Sequence, residues 1–139
     1  MAFETAGAGE LFLIARVLFG GVLAFMGLNH FTNGEAMAGY AKAKGLPAPT
    51  AAAYGSGGLL AVSGLLIVVG AYPVVAAGAL ATFLLVSAVT MHDFWAAPED
   101  QQQNEMTQFR KNAVMAGGAL AVLAVTGTAW PYSVGLGLV

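Results

Sequence analysis

The chain has 139 residues, of which 58% are hydrophobic and 9% are charged, and its formal net charge is −2. A water-soluble domain carries about 25% charged residues, so this composition excludes an ordinary soluble fold. The acidic balance argues against nucleic acid as a partner, because nucleic-acid binding needs a basic surface. The absence of cysteine excludes disulfides, thiolate metal sites and thiol-based redox carriers.

Three long stretches, residues 17–34, 45–92 and 112–139, contain no Asp, Glu, Lys or Arg. One helical span of a bilayer needs about 20 residues, so the middle stretch holds two spans, divided at Gly70–Pro73. The sequence therefore predicts an all-α fold, a single membrane domain over residues 1–139 that contacts the lipid bilayer. Its four transmembrane helices are predicted at about residues 10–31, 50–71, 73–95 and 109–132.

The positive charges predict the orientation of this bundle. Lys42 and Lys44 follow the first span, and Arg110 and Lys111 lie at the junction into the fourth. Lysine and arginine are enriched in cytoplasmic loops, so loops 32–49 and 96–108 should be cytoplasmic and both termini external. Short interfacial helices are expected in these loops of a multi-pass protein of the cell membrane.

One face of the first span carries both charge and small residues. Arg16 and His30 are separated by fourteen residues, which places them on one side of the helix at opposite ends. A charge inside a span costs a few kcal/mol, so Arg16 should face a partner or water, or reach the interface. Small residues allow helices to approach closely, and we assign helix packing to Gly20, Gly27, Gly57, Gly64, Gly117 and Gly118.

Polar side chains from three spans should meet at the cytoplasmic end of the bundle. Histidine exchanges protons near neutral pH, and an adjacent aspartate can orient it, which suits the head group of a quinone. The alternative is a polar boundary layer with interhelical hydrogen bonds and phosphate contacts. The residues of this cluster are Asn29 and His30 at the end of the first span, His92 and Asp93 at the end of the third, and Arg110, Lys111 and Asn112 at the start of the fourth.

Other cofactors fit the sequence less well. Two histidines on different spans also suit the axial ligands of a haem, but nothing in the sequence shapes a haem pocket. Two histidines and one aspartate without ligand spacing are a poor metal signature, so no metal is predicted.

The chain resembles the DoxX family of small four-helix membrane proteins, and the resemblance covers nearly its whole length. It rests on the segments Arg16–Gly20, Phe25–Phe31, Gly45–Pro47, His92–Trp95, Asn104–Met106, Phe109–Asn112 and Gly117–Gly118. The resemblance implies a link to thiosulfate:quinone oxidoreductase, to terminal oxidases, or to complexes that respond to quinones and oxidants. The positions that match a quinone-linked site by this resemblance are Arg16, Asn29, His30, His92, Asp93 and Asn112. No residue of the chain is an obvious redox centre, so any electrons would come from a partner or a bound cofactor.

Three functions remain open at this point. The chain is either a quinone-interacting subunit of a membrane redox complex, or a non-catalytic scaffold that anchors soluble oxidoreductases. The third is a carrier of small solutes or ions, with Arg16 and His30 lining the path. The sequence leaves the partner oxidoreductase and the oligomeric state open, a homo-oligomer included.

Overall fold

The computed structural model describes residues 2–137, so residues 1, 138 and 139 of the predicted domain lie outside the described part. Helices and no strands make up the regular structure between residues 2 and 137. A single 3-10 turn, Phe94–Ala96, precedes the last helix. The five α-helices are α1 Ala8–Thr32, α2 Gly34–Ala43, α3 Pro49–Val69, α4 Pro73–Met91 and α5 Gln102–Ala124.

Proline and glycine set the limits of the two central helices. Pro49 and Pro73 occupy the first turns of α3 and α4, where the missing N–H costs nothing. Gly70 ends α3 with φ 71°, a left-handed conformation that favours glycine, and its N–H donates to the carbonyl oxygen of Leu66. The division between the second and third spans therefore lies where the sequence places it.

The long helices pack in the order α1, α3, α4, α5, and α2 lies against α3. Residues 33–48 and 92–101 lie at one end of this bundle, here named the loop end. Residues 70–72 and 125–137 lie at the other end, named the turn end. The core between the ends is built mainly from leucine and alanine on α1, α3, α4 and α5, among them Leu23, Leu60, Leu80, Leu84, Ala116 and Ala119.

Glycines bring α1 and α3 into backbone contact. A Cβ atom at Gly27 would lie 2.5 Å from the amide nitrogen of Ala61 and 2.6 Å from the carbonyl oxygen of Gly57. Gly20 and Gly64 approach each other's backbone in the same way. On α5, Gly118 packs against the ring of Phe19, whereas a Cβ at Gly117 would meet no atom within 4 Å. The packing role predicted for Gly117 therefore has no contact to support it in this chain.

Within residues 2–137, three segments are long and apolar enough to cross a membrane: α1, α3 and Pro73–Ala96. The predicted fourth span is not among them. Its helix, α5, begins seven residues before the predicted start, and its first half carries Glu105, Arg110 and Lys111. Only residues 113–124 of α5 form an uninterrupted apolar run, which is shorter than the roughly 20 residues of a full span. The four-span bundle therefore stays a prediction.

The end of the predicted fourth span is also corrected, because α5 stops at Ala124 and residues 125–132 form turns. Gly127 and Pro131 disfavour a helix there. This segment instead folds back across the turn end. The N–H of Val134 donates to the carbonyl oxygen of Val69 at 2.9 Å, and the Trp130 side chain is 4% exposed.

The two loops also differ from each other. The first contains the expected short helix, α2. The second contains no separate short helix within residues 96–108, because α5 starts at Gln102 and continues into the bundle. A turn at residues 98–101 leads into α5, and the N–H of Gln102 donates to the carbonyl oxygen of Pro98.

Candidate functional site

Arg16 lies at the turn end, buried with 0% exposure and apart from the other candidate residues. Its guanidinium donates to the carbonyl oxygens of Ile67 at 3.1 Å and Val68 at 2.7 Å, in the last turn of α3. It also donates to the carbonyls of Pro131 at 2.6 Å and Tyr132 at 3.0 Å. The carbonyls at a helix C-terminus lack intrahelical partners and attract cations. Arg16 therefore joins the end of α3 to the segment that follows α5.

Asn29 lies on the exposed side of α1, away from the interior of the bundle. Its Oδ1 accepts a hydrogen bond from Nδ2 of Asn33 at 2.5 Å. The backbone N–H of Asn33 donates to the Asn29 carbonyl oxygen at 2.9 Å. These bonds cap the C-terminus of α1, so the observed contacts of Asn29 stabilise the end of this helix.

A cavity of about 370 Å³ lies in the half of the bundle nearest the loop end. All five helices contribute to its wall, which is largely apolar and contains Met26, Met37, Phe83, Met91 and Met115. Three candidate residues, His30, His92 and Asn112, line it together. The exposed residues Val86 and Thr90 of α4 also line it, so the cavity reaches the outer face of this helix.

His30 projects from α1 toward α3 at the cavity wall. Its Nδ1 lies 2.9 Å from Oγ of Ser56 and 3.1 Å from the carbonyl oxygen of Ala53. Gly57 permits this approach, since a Cβ at that position would lie 2.6 Å from Cβ of His30. The small residue on α3 therefore fixes the imidazole against the cavity.

His92 follows α4 and is held by a carboxylate from α5. Its Nδ1 lies 3.0 Å from Oε2 of Glu105, whose side chain is buried. The hydroxyl of Tyr40, on α2, lies 2.5 Å from Oε1 of Glu105 and 2.7 Å from the carbonyl oxygen of Met91. Glu105 thus connects α2, α4 and α5 behind the cavity wall.

Asp93 lies at the rim of this arrangement and pairs with α2. Nζ of Lys44 is 2.7 Å from Oδ1 of Asp93 and 3.7 Å from Oε1 of Glu105. One ammonium therefore serves two carboxylates at the loop end. We name the set Tyr40, Lys44, His92, Asp93 and Glu105 the Glu105 network.

The contacts of the Glu105 network keep its central carboxyl ionised. Burial alone would raise the pKa of Glu105, but hydrogen bonds from Tyr40 and His92 and the charge of Lys44 outweigh it and lower that pKa. Burial, together with the hydrogen bond to Glu105, raises the pKa of Tyr40 well above its usual value. Tyr40 therefore remains a proton donor, and Glu105 remains an acceptor.

Asn112 lies on α5 at the opposite wall of the cavity. Its Nδ2 donates to the carbonyl oxygen of Leu84 at 3.4 Å, a hydrogen bond at the long end of the usual range. The structure therefore brings three of the six candidate residues to one cavity, places Asp93 at its rim, and separates Arg16 and Asn29 from it.

The sequence interpretation missed Glu105 and Tyr40. Glu105 lies in a polar stretch, residues 101–108, that resembles an exposed loop, and only the docking of α2 buries it. Within residues 2–137, no three side chains of His, Cys, Asp or Glu group as metal ligands.

Lowering the pH should weaken the packing of α2 against the rest of the bundle, because Glu105 loses its charge. Its folded pKa lies below its unfolded value of 4.5, so its stabilising contribution is full above about pH 4.5 and is lost as the pH falls through the folded value. Thermal unfolding in detergent between pH 7 and 3 measures this loss. Glu105→Gln should flatten the acid limb of the stability profile, whereas exposed Glu99→Gln should retain it. Parallel profiles for wild type and Glu105→Gln would contradict this assignment.

The comparisons with known proteins give one match. The DoxX family model matches residues 11–93, which is more than half of the chain and includes α1 to α4 and the two cavity histidines. No curated protein matches the chain, and no solved structure matches it. With its three apolar helices, the chain is a membrane protein, and it belongs to the DoxX family.

Proposed function

We propose that this protein binds a quinone-type ring in the cavity at the loop end, as the quinone-interacting subunit of a membrane redox complex. The observation that carries the proposal is the meeting of His30 and His92 at one apolar cavity. Small-molecule sites have volumes of about 300–1,000 Å³ and combine apolar walls with a few polar groups. A cavity of about 370 Å³ with two histidines on its wall fits that description.

The lining suits a flat, polarisable ring that arrives from the lipid phase. Methionine side chains from four elements line the cavity, and thioethers adapt to irregular apolar ligands and make favourable contacts with aromatic rings. Val86 and Thr90 are exposed on the side of α4 that has no protein neighbour in this chain between residues 2 and 137. A hydrophobic ligand could therefore enter from the bilayer beside α4.

A partner must supply the electrons in this proposal. The chain has no cysteine, and its aromatic and methionine side chains are not redox carriers under ordinary conditions. The loop end, with the Glu105 network and the exposed Trp95, is the surface that we propose for that partner. By the distribution of lysine and arginine, we also propose that the loop end faces the cytoplasm.

Quinone binding by the purified protein tests the proposal. Wild-type protein in detergent should bind 1,4-naphthoquinone saturably, and Ser87→Phe, which places a ring inside the cavity, should weaken binding at least about tenfold. Ala113→Phe adds the same ring on the exposed face of α5 and should bind as wild type does. Mass spectrometry of lipid extracts from protein purified out of native membrane identifies the natural ligand.

The same measurement separates the alternatives. Equal binding by Ser87→Phe and wild type would place the quinone elsewhere. If wild type binds no quinone, the role of a membrane scaffold for soluble oxidoreductases becomes the better proposal. A carrier path through Arg16 and His30 gains no support, since Arg16 does not line the cavity.

A further inference from the structure

The hydrogen bonds of His30 determine which of its ring nitrogens carries the proton. The Ser56 hydroxyl donates to the carbonyl oxygen of Ala53 at 3.0 Å, so its oxygen is free to accept from the imidazole. Both neighbours of Nδ1, the Ser56 oxygen and the Ala53 carbonyl, are then acceptors. Nδ1 must therefore donate, and the neutral ring keeps a bare lone pair at Nε2.

His92 is fixed in the same form by a different group. Its Nδ1 faces a carboxylate oxygen of Glu105, and an ionised carboxylate can only accept. Tyr40 and Lys44 hold that carboxylate in its ionised form, as its lowered pKa indicates. Nδ1 of His92 therefore also donates, which leaves its Nε2 as an acceptor when the ring is neutral.

Both Nε2 atoms are available to a ligand. Among the described residues, no hydrogen bond engages Nε2 of either histidine, and no buried side-chain nitrogen or oxygen lacks a partner. The two Nε2 atoms are therefore accessible to solvent, and both side chains line the cavity. The cavity thus offers two ring acceptors, one on α1 and one after α4.

Two other polar groups of the wall, Thr90 and Asn112, direct their donors at the protein itself, and Ser87 and Gln108 complete the polar part of the wall. The Thr90 hydroxyl donates to the carbonyl oxygen of Val86 at 2.8 Å, and the Asn112 amide is directed at the carbonyl of Leu84. A wall with two ring acceptors favours a ligand that brings its own donors, because a buried acceptor left without a hydrogen bond is unfavourable.

We infer that the cavity receives the reduced, hydroxylated form of its ring ligand, an aromatic diol whose two hydroxyls donate to Nε2 of His30 and of His92. This inference rests on the proposed quinone-type site and adds which redox form the resting site prefers. A quinone has only carbonyl acceptors, so at these two positions it faces two lone pairs.

Three ligands with one carbon skeleton test the inference. Naphthalene-1,4-diol brings two donors, 1,4-dimethoxynaphthalene brings none, and 1,4-naphthoquinone brings two carbonyl acceptors. At pH 8, under anaerobic conditions, the diol should bind wild-type protein at least about tenfold more tightly than either other ligand, which corresponds to about 1.4 kcal/mol.

Glu105→Gln is the informative variant, because its amide can donate to Nδ1 and so move the proton of His92 to Nε2. Its diol preference at pH 8 should fall several-fold, while Glu99→Gln, at an exposed position, should bind as wild type does. If Glu105→Gln does not fold, the comparison of the three ligands with wild-type protein still decides the question.

The outcomes separate the two proposals. Equal affinity for all three ligands at pH 8, with binding still lost in Ser87→Phe, would overturn the inference and leave the proposed function standing. Tighter binding of the quinone at pH 8 would do the same. If none of the three ligands binds, both proposals fail.

Discussion

Replacing Arg16 with methionine should detach the segment that follows α5 from the C-terminus of α3 and leave the cavity at the loop end intact. Methionine fills a similar volume but cannot donate, so four carbonyl oxygens, on Ile67, Val68, Pro131 and Tyr132, lose their shared partner. Each buried acceptor left without a hydrogen bond costs about 1–3 kcal/mol, so the variant should lose at least about 3 kcal/mol of stability. Arg16→Lys should recover only part of it, because an ammonium lacks the planar fork of five donors.

Trp130 reports on this detachment directly. It is buried beside the guanidinium, whose central carbon lies 5.5 Å from the ring centroid. In a Trp95→Phe background, Trp130 is the remaining tryptophan, and its emission should shift to longer wavelength in Arg16→Met. Arg110→Met removes an exposed cation and should leave the spectrum unchanged. The folded fraction of Arg16→Met should still bind naphthoquinone, and loss of that binding with an unchanged spectrum would return Arg16 to the ligand site.

The positions of the helices were predictable where the charge-free stretches and the helix-breaking residues indicate the same boundaries. The charge-free stretches and the Gly70–Pro73 break place three apolar helices within a few residues of those in the structure. The absence of charged residues was misleading at the end of α5, because residues 125–132 carry no charge either, yet they form no helix. Gly127 and Pro131 were the local signals, and the contact with Val69 that settles the path of the chain is long-range.

The site was predictable only where it depends on helix periodicity. The spacing of Arg16 and His30 correctly puts them at opposite ends of α1, since a helix of fixed rise leaves no other choice. The partners of each come from elsewhere in the chain: Arg16 binds carbonyls of a segment with no regular structure, and His30 binds α3. Tertiary packing, which one sequence does not show, decided which polar residues face the cavity.

Glu105 illustrates this limit. Four polar residues precede it, at positions 101–104, and all four are exposed. Its burial depends on Tyr40 and Lys44, which lie more than sixty residues earlier in the chain. No periodicity distinguishes it from its exposed neighbours, so the most connected carboxylate of the site could be found only in the fold.

Gly27→Ala should destabilise the bundle even though alanine is the better helix former. A methyl group there would lie 2.5 Å from the Ala61 nitrogen and 2.6 Å from the Gly57 oxygen, and these are backbone atoms that cannot rotate away. The helices α1 and α3 must separate to admit it, at a cost of about 2 kcal/mol or more for overpacking. A separation here also moves His30 away from Ser56, so the affinity of the cavity for its ligand should fall with stability.

Gly21 provides the matched control on the same helix. A Cβ at Gly21 would meet no atom within 4 Å, so Gly21→Ala receives the gain in helix propensity alone, about 1 kcal/mol. Thermal unfolding in detergent should therefore rank Gly21→Ala at or above wild type and Gly27→Ala clearly below it. Equal stability of the two variants would mean that α1 and α3 do not touch through their glycines. The opposite signs of two identical substitutions, six residues apart, follow from backbone contact on one side of α1 and open space on the other.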